Sequence, residues 1–361
     1  MRLVGYVLLE LVAGFSLLAG TGLGVIYGTR ELAELVRPAH ASETEARAPR
    51  YPVEYAPVPA PASLAGAGSR GYFLGVKDEI LLAPLLEGNV TRVKFNRGGS
   101  SVSLRLDFEG GGRAAFKPDQ TNLQSIPRRE IAAYRVSRLL GLEAVSPAVG
   151  RRFKLSELLE KLDAGSRDTA ARIATEAVVD AEGMVTGELS WWIPVITDAV
   201  IEGVRIDAPE GVTAWRLYLA AGAAEPYSGR HLLPQISNMV VFDYLINNPD
   251  RFSGSNAKSA PDGRTLFFMD NTLSFGPLLE GSTKVRIYLE KVQKFSRALA
   301  RRVRALDEAA LREAMTRDTG PYPRLLSDEE IAGIMVRRDA LLAYWAELEA
   351  QHGAAQVFVY P

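Results

Sequence analysis

The hydrophobic and polar positions of the chain change period several times. From Leu3 to Gly28 the residues are apolar except for Glu10 and a few small polar ones. Such a run is long enough to cross a hydrocarbon core of about 30 Å at about 1.5 Å per residue. It predicts a transmembrane anchor over 1–29. A cleaved signal segment is the competing reading, with Arg2 in front and Ala39-His40-Ala41 behind as a small-x-small site. Residues 30–69 then carry Pro38, Pro49, Pro52, Pro57, Pro59 and Pro61 among Ala, Ser and Gly, the composition of an extended tether.

Beyond Gly71 the pattern becomes that of a folded body. Thr91–Phe95, Val102–Phe108 and Arg113–Lys117 read as strands, joined by Arg97-Gly98-Gly99-Ser100 and Glu109-Gly110-Gly111-Gly112. Alternation at Val102, Leu104, Leu106 and Phe108 marks a half-buried strand, and the glycines supply the turns. Pro127 opens a helix that runs through Leu140 and stops at Gly141, with Ile131, Tyr134, Val136 and Leu139 on its apolar side. Residues 150–190 show no clear period, and helices are expected near 283–316 and 327–351. The fold class is therefore α+β: a small antiparallel sheet plus a helix over 70–188, then a mostly helical half over 189–361.

Composition narrows the chemistry. The 361 residues exceed what one small core needs and can hold a two-lobed enzyme of roughly 250–300 residues plus appendages. Hydrophobic residues at 47% and charged residues at 24% are near the averages for folded proteins. With 42 Lys and Arg against 43 Asp and Glu, no global field favours nucleic acid, and no nucleic-acid partner is expected. The absence of cysteine removes disulfides, thiolate nucleophiles and thiolate metal sites together. His40, His231 and His352 lack metal-ligand spacing.

What remains is a set of residues suited to phosphoryl transfer. That reaction asks for positioning and charge neutralisation: a glycine loop over phosphates, a lysine fixed by a glutamate, carboxylates for metal, and a base for the acceptor hydroxyl. Gly98, Gly99, Ser100 and Ser101 lie between two strands, where backbone N–H groups can approach phosphate oxygens; alone they are also an ordinary hairpin turn. Lys117 ends the third strand, and Glu130 sits in the first turn of the helix opened by Pro127, placed to pair with it. In Phe242-Asp243-Tyr244-Leu245-Ile246-Asn247-Asn248-Pro249-Asp250-Arg251 an apolar helix end runs into a polar turn that presents Asp250 as the candidate base. Asn256 follows, with a carboxamide able to ligate a second metal ion, and Ser255 stands beside it. Thr265–Asn271 is a hydrophobic strand ending in Asp270, the candidate ligand for Mg²⁺ or Mn²⁺. Asp243 reads as a structural cap or ion-pair partner.

Phe116-Lys117-Pro118, Glu130, Asn247-x-x-Asp250-Arg251 and Met269-Asp270-Asn271 resemble the atypical kinases of the four-jointed secretory type, over about residues 90–350. Gly98-Gly99-Ser100-Ser101, Leu139-Leu140-Gly141-Leu142, Ser190-Trp191-Trp192-Ile193-Pro194 and Phe242-Asp243-Tyr244-Leu245 extend the likeness. A looser one covers the HipA toxin kinases and phosphoinositide kinases, whose Asp-Arg pair is usually followed by histidine, with asparagine five residues after the aspartate. Here Phe252 takes the histidine's place and Asn256 comes one residue later. The resemblance implies a divergent two-lobed protein-kinase-like fold, ATP, Mg²⁺ or Mn²⁺, and transfer to Ser or Thr of a protein or to a sugar hydroxyl. It also implies lumenal activity and disulfides that a cysteine-free chain cannot form. Arg2 before the anchor against Arg30 and Arg37 after it instead leans toward a body on the cytoplasmic side. A kinase acting on a sugar or small-molecule hydroxyl, a membrane-tethered pseudokinase or nucleotide-binding scaffold, and a structural envelope protein are the competing readings.

Overall fold

In a computed structural model of the chain the described residues are 71–361, apart from 227, 254 and 255. The expected anchor and tether, and Ser255, lie outside the described residues. Among the described residues no helix is long and apolar enough to cross a membrane.

A hairpin of β1 (Tyr72–Phe73) and β2 (Val76–Lys77) leads into helix α1 (Asp78–Glu87). The first lobe is built on five strands: β3 (Val90–Phe95), β4 (Leu104–Phe108), β5 (Arg113–Pro118), β6 (Ala148–Lys154) and β7 (Met184–Trp191). They pair antiparallel in the order β3-β4-β5-β7-β6. Leu104, Leu106 and Phe108 of β4 are buried while Arg105 and Asp107 are half-buried, the two-residue alternation that a sheet with one core face requires. Helix α2 (Pro127–Leu139) crosses between β5 and β6, burying Ile131, Ala132, Ala133, Tyr134 and Val136 and packing against β6 and β7.

Two expectations are adjusted by this lobe. The second strand starts at Leu104, not Val102, because the Gln120 side chain takes both backbone groups of Val102: N donates to Oε1 at 2.8 Å, and Nε2 donates to the carbonyl at 3.1 Å. The stretch from 150 to 190 holds β6, β7 and the short helices α3 (Leu155–Glu160) and α4 (Ala170–Glu176). Strand β7 is hydrogen-bonded on both edges and buried at most positions, so it lacks the alternation that makes a strand readable.

The second lobe begins with β8 (Thr197–Asp198), β9 (Val200–Ile201) and β10 (Val204–Arg205), followed by α5 (Pro209–Tyr218) and α6 (Leu233–Ile246). Strands β11 (Ala257–Ser259) and β12 (Leu266–Phe268) join β8 in a small sheet of order β12-β11-β8. Helices α7 (Thr283–Leu289), α8 (Arg297–Ala305), α9 (Glu308–Thr316), α10 (Asp328–His352) and α11 (Ala354–Val357) complete the lobe. Helix α6 is buried nearly all round, from Leu233 and Ile236 to Leu245 and Ile246, which makes it the axis of this lobe. It stops at Asn247, whose φ of 51° is left-handed. The turn that follows carries Asp250.

Candidate active site

The ends of β5, α2, α6 and β12 bring together residues far apart in the chain. Lys117 is next to last on β5, and its Nζ lies 2.6 Å from Asp270 Oδ1. The lysine side chain is 12% exposed and that of Asp270 43%, so the pair sits at a mouth, with the carboxylate on the open side. Thr272 Oγ1 also donates to Asp270 Oδ1, at 2.9 Å. Asp270 has a φ of 53°, a conformation that costs a non-glycine residue about 1–3 kcal/mol and persists only where its surroundings impose it.

Asn271 supplies those surroundings. It is fully buried, and its backbone N–H and Nδ2 donate to the two oxygens of Glu130 at 2.6 and 2.8 Å. Its Oδ1 accepts from Arg251 Nη2 at 2.6 Å and Asn248 Nδ2 at 3.3 Å. Glu130 does not make the expected direct bond to Lys117: its oxygens accept from Asn271, the ammonium is bonded to Asp270, and Glu130 acts on Lys117 through its charge.

Asp250 follows α6 in a turn closed by its own N–H, which donates to Asn248 Oδ1 at 3.0 Å. Asn256 Nδ2 donates to Asp250 Oδ2 at 3.0 Å, so the asparagine that comes one residue late in sequence still folds back onto the candidate base. Arg251 ties this turn to the Asp270 segment: Nη1 donates to the carbonyls of Asn256, at 3.1 Å, and of Met269. Its other edge grips Asp243, with Nε to Oδ2 and Nη2 to Oδ1 both at 3.0 Å. Asp243 is thus the ion-pair partner its place on the helix suggested. Burial pushes its carboxyl up to about 6, against the pull of Arg251.

Glu188 was missed in the sequence. On β7 it stands directly opposite Lys117 of β5, is 1% exposed, and accepts from Ser190 Oγ at 2.9 Å. Three carboxyl groups thus surround one ammonium. Burial works against the Lys117 charge, but Asp270, Glu130 and Glu188 outweigh it and raise its pKa. Burial, then the Glu130 charge, hold the Glu188 carboxyl well above its ordinary value. Burial likewise raises Glu130. For Asp270 the burial cost is overcome by Lys117 and by hydrogen bonds from Lys117 and Thr272, and its pKa is lowered. Only the strand register brings Glu188 to the site, so no local motif exposed it.

The glycine loop joins β3 to β4. Its base is held by Asn96 N donating to Ser103 O at 2.9 Å and by Arg172 Nη2 donating to Ser100 O at 2.7 Å. Gln120 links it to β5, since the amide that binds Val102 also donates to Pro118 O at 3.2 Å. A Cβ at Gly98 or Gly99 would meet no protein atom within 4 Å, and neither glycine has positive φ. Nothing inside the protein requires glycine there.

Among the described residues no three His, Asp or Glu side chains form a metal cage. A cation shared with phosphates needs less, because one or two protein ligands with phosphate and water oxygens complete its shell. A half-exposed Asp270 carboxylate, with the Asn256 carboxamide at Asp250, fits that requirement.

No model of a known protein family matches the chain. It is similar to the human extracellular serine/threonine protein kinase FAM20C, 22% identical over 275 residues, covering 63% of this chain and 46% of that protein. It is similar to human glycosaminoglycan xylosylkinase, 24% identical over 304 residues and 72% of each chain, and to human pseudokinase FAM20A, 26% identical over 225 residues, 49% of this chain and 40% of that protein. The chain thus spans less than half the length of FAM20C and of FAM20A. Among solved structures it resembles the Golgi casein kinase, with a TM-score of 0.63, 18% identity and coverage of 80% of this chain and 79% of that one. The same kinase with Mn and ADP bound gives a TM-score of 0.59 at 16% identity, covering 80% of each chain. By these likenesses the chain has a two-lobed, kinase-like α+β fold.

Proposed function

We propose that this chain is an ATP-dependent kinase that transfers the γ-phosphoryl group to a hydroxyl acceptor. The observation that carries the reading is the convergence of Lys117, Glu130, Asp270 and the Asp250 turn where the ends of β5, α2, α6 and β12 meet, joined by Asn271 and Arg251. When bound, ATP with Mg²⁺ or Mn²⁺ supplies the transferable group and part of the charge neutralisation. Lys117 would exchange Asp270 for a phosphate oxygen. Asp270 and Asn256 would hold the cation, the backbone of Gly98, Gly99, Ser100 and Ser101 would cover the phosphates, and Glu130 keeps Asn271 and hence Asp270 in place. Asp250 takes the proton of the acceptor hydroxyl as its oxygen bonds to phosphorus and the bond from phosphorus to the leaving ADP oxygen breaks.

The preferred acceptor is Ser or Thr of a protein, supported by the likeness to FAM20C. A sugar hydroxyl is the second reading, supported by the even coverage of the xylosylkinase match. The likeness to FAM20A raises a pseudokinase reading, against which stands the presence of Lys117, Glu130, Asp250 and Asp270 together. Thermal unfolding of the chain with and without ATP and Mg²⁺ or Mn²⁺ tests the site, since selective binding to the folded state raises its stability. A metal-dependent rise followed by label transfer from ATP to protein or glycan supports the kinase. A rise with no transfer to either acceptor class supports the pseudokinase, and no rise at saturating ligand defeats both.

The apolar run at 1–29 and the tether at 30–69 support a single-pass anchor that keeps the catalytic body near a membrane, related in kind to the four-jointed type. The arginine balance supports the cytoplasmic face. Protease protection of the body in sealed vesicles would reverse that orientation.

A further inference from the structure

The first turn of α2 carries Arg128, Arg129 and Glu130 in succession. Glu130 reaches the site, while both arginines end on one carboxylate of the second lobe. Arg128 Nη1 and Nη2 lie 2.8 and 3.1 Å from Glu330 Oε2 and Oε1. Arg129 Nε and Nη2 lie 3.0 and 2.7 Å from Glu330 Oε1. Arg128 Nη1 also donates to the carbonyl of Leu325. The Glu330 side chain is 8% exposed and that of Arg129 13%, so water and salt screen this contact far less than a surface pair.

Glu330 also serves its own helix. It is the third residue of α10 and completes a capping box, accepting from Ser327 N at 2.8 Å while its own N–H donates to Ser327 Oγ at 3.2 Å. A second brace lies further along α2, where Arg135 Nη2 donates to Asp318 O at 2.7 Å. In kinase-type sites the placement of the helix that carries the glutamate decides whether the site is assembled. Here that placement is set from the second lobe.

We propose that Glu330 is a positioning residue for phosphoryl transfer: by holding Arg128 and Arg129 it fixes the first turn of α2, and with it Glu130, Asn271 and the metal-holding Asp270. The proposal rests on the kinase reading of the site.

Glu330→Gln separates the brace from the cap, because glutamine still completes a capping box but lacks the charge that holds two guanidinium groups. Ser327→Ala is the matched control, opening the cap and leaving the arginine contacts. In the full chain, well below the melting temperature of each variant, hydrogen exchange at the Asn271 amide and steady-state transfer are measured. Glu330→Gln is expected to speed exchange at Asn271 and to lower kcat on the order of tenfold, with the KM for acceptor unchanged. Ser327→Ala is expected to change neither, and the exchanged pair Arg129→Glu with Glu330→Arg to recover part of the loss. Unaltered Asn271 exchange in Glu330→Gln, or an equal response in Ser327→Ala, overturns the positioning role. If exchange responds as expected but the unaltered chain transfers no phosphate, the brace stands and the kinase reading is what fails.

Discussion

The Lys117 ammonium lies 2.6 Å from the Asp270 carboxylate, although 153 positions separate them in the chain. This ion pair links the sheet of the first lobe to the exit of β12 in the second. Beside it, Asn271 donates to both oxygens of Glu130. In the proposed function the ion pair joins the two groups that a nucleotide and its cation would address, so that loading the site would replace one ion pair by a phosphate contact and a metal contact.

The roles of the two central aspartates should separate on substitution. Asp270→Asn is expected to abolish the metal-dependent rise in melting temperature produced by ATP. Asp250→Ala should keep that rise while transfer falls by roughly a hundred- to ten-thousand-fold, the usual contribution of a positioned base. Thermal shift and label transfer on the same preparations check both. Loss of nucleotide binding in Asp250→Ala would overturn the division of roles.

Arg251 is 1% exposed and joins Asp243, Asn256, Met269 and Asn271. Removing one partner of a buried pair leaves the other charge without compensation, so Arg251→Ala should cost about 3–5 kcal/mol. Urea unfolding measures it. A loss below about 1 kcal/mol would show that water enters and replaces the guanidinium.

Glu188 predicts a pH dependence. Its folded-state pKa is raised above the ordinary value, first by burial and then by Glu130. A raised carboxyl costs nothing below its unfolded pKa of about 4.3, where both states are protonated. The cost grows as pH rises above that value, because the unfolded chain releases the proton first. Glu188→Gln removes the cost, so the nucleotide-free variant should be more stable than the parent at pH 7 and gain little at pH 4. Equal gains at both pH values, from melting curves in matched buffers, would point to packing and not to ionisation.

Gly98→Ala and Gly99→Ala should leave the fold intact, since the added methyl meets open space and the backbone is unstrained. Loss of chain entropy in the unfolded state even favours the variants by about 0.4–1 kcal/mol. The KM for ATP should nevertheless rise, because the methyl occupies space the phosphates need. An unchanged KM would reduce the loop to a plain hairpin turn.

The candidate residues were legible because they lie at strand and helix ends, where local pattern is strong. Alternation in β4, Pro127 before α2 and the apolar run of α6 into Asn247 located Lys117, Glu130 and Asp250 by sequence alone. Asp270 stood out as a carboxylate at the end of a hydrophobic strand. Composition needed no fold either, since a chain without cysteine has neither disulfides nor thiolate chemistry.

Long-range pairing decided the rest. Glu188 belongs to the site only because β7 pairs with β5 in a register that sets it against Lys117. Glu130 binds Asn271, 141 positions away, while Lys117 binds Asp270. Glu330 meets Arg128 and Arg129 because the fold brings the capped start of α10 to the first turn of α2. Each outcome depends on which groups the fold sets side by side in three dimensions. Sequence spacing marks the residues able to do the chemistry; the competition for donors, acceptors and charge inside the folded chain assigns their partners.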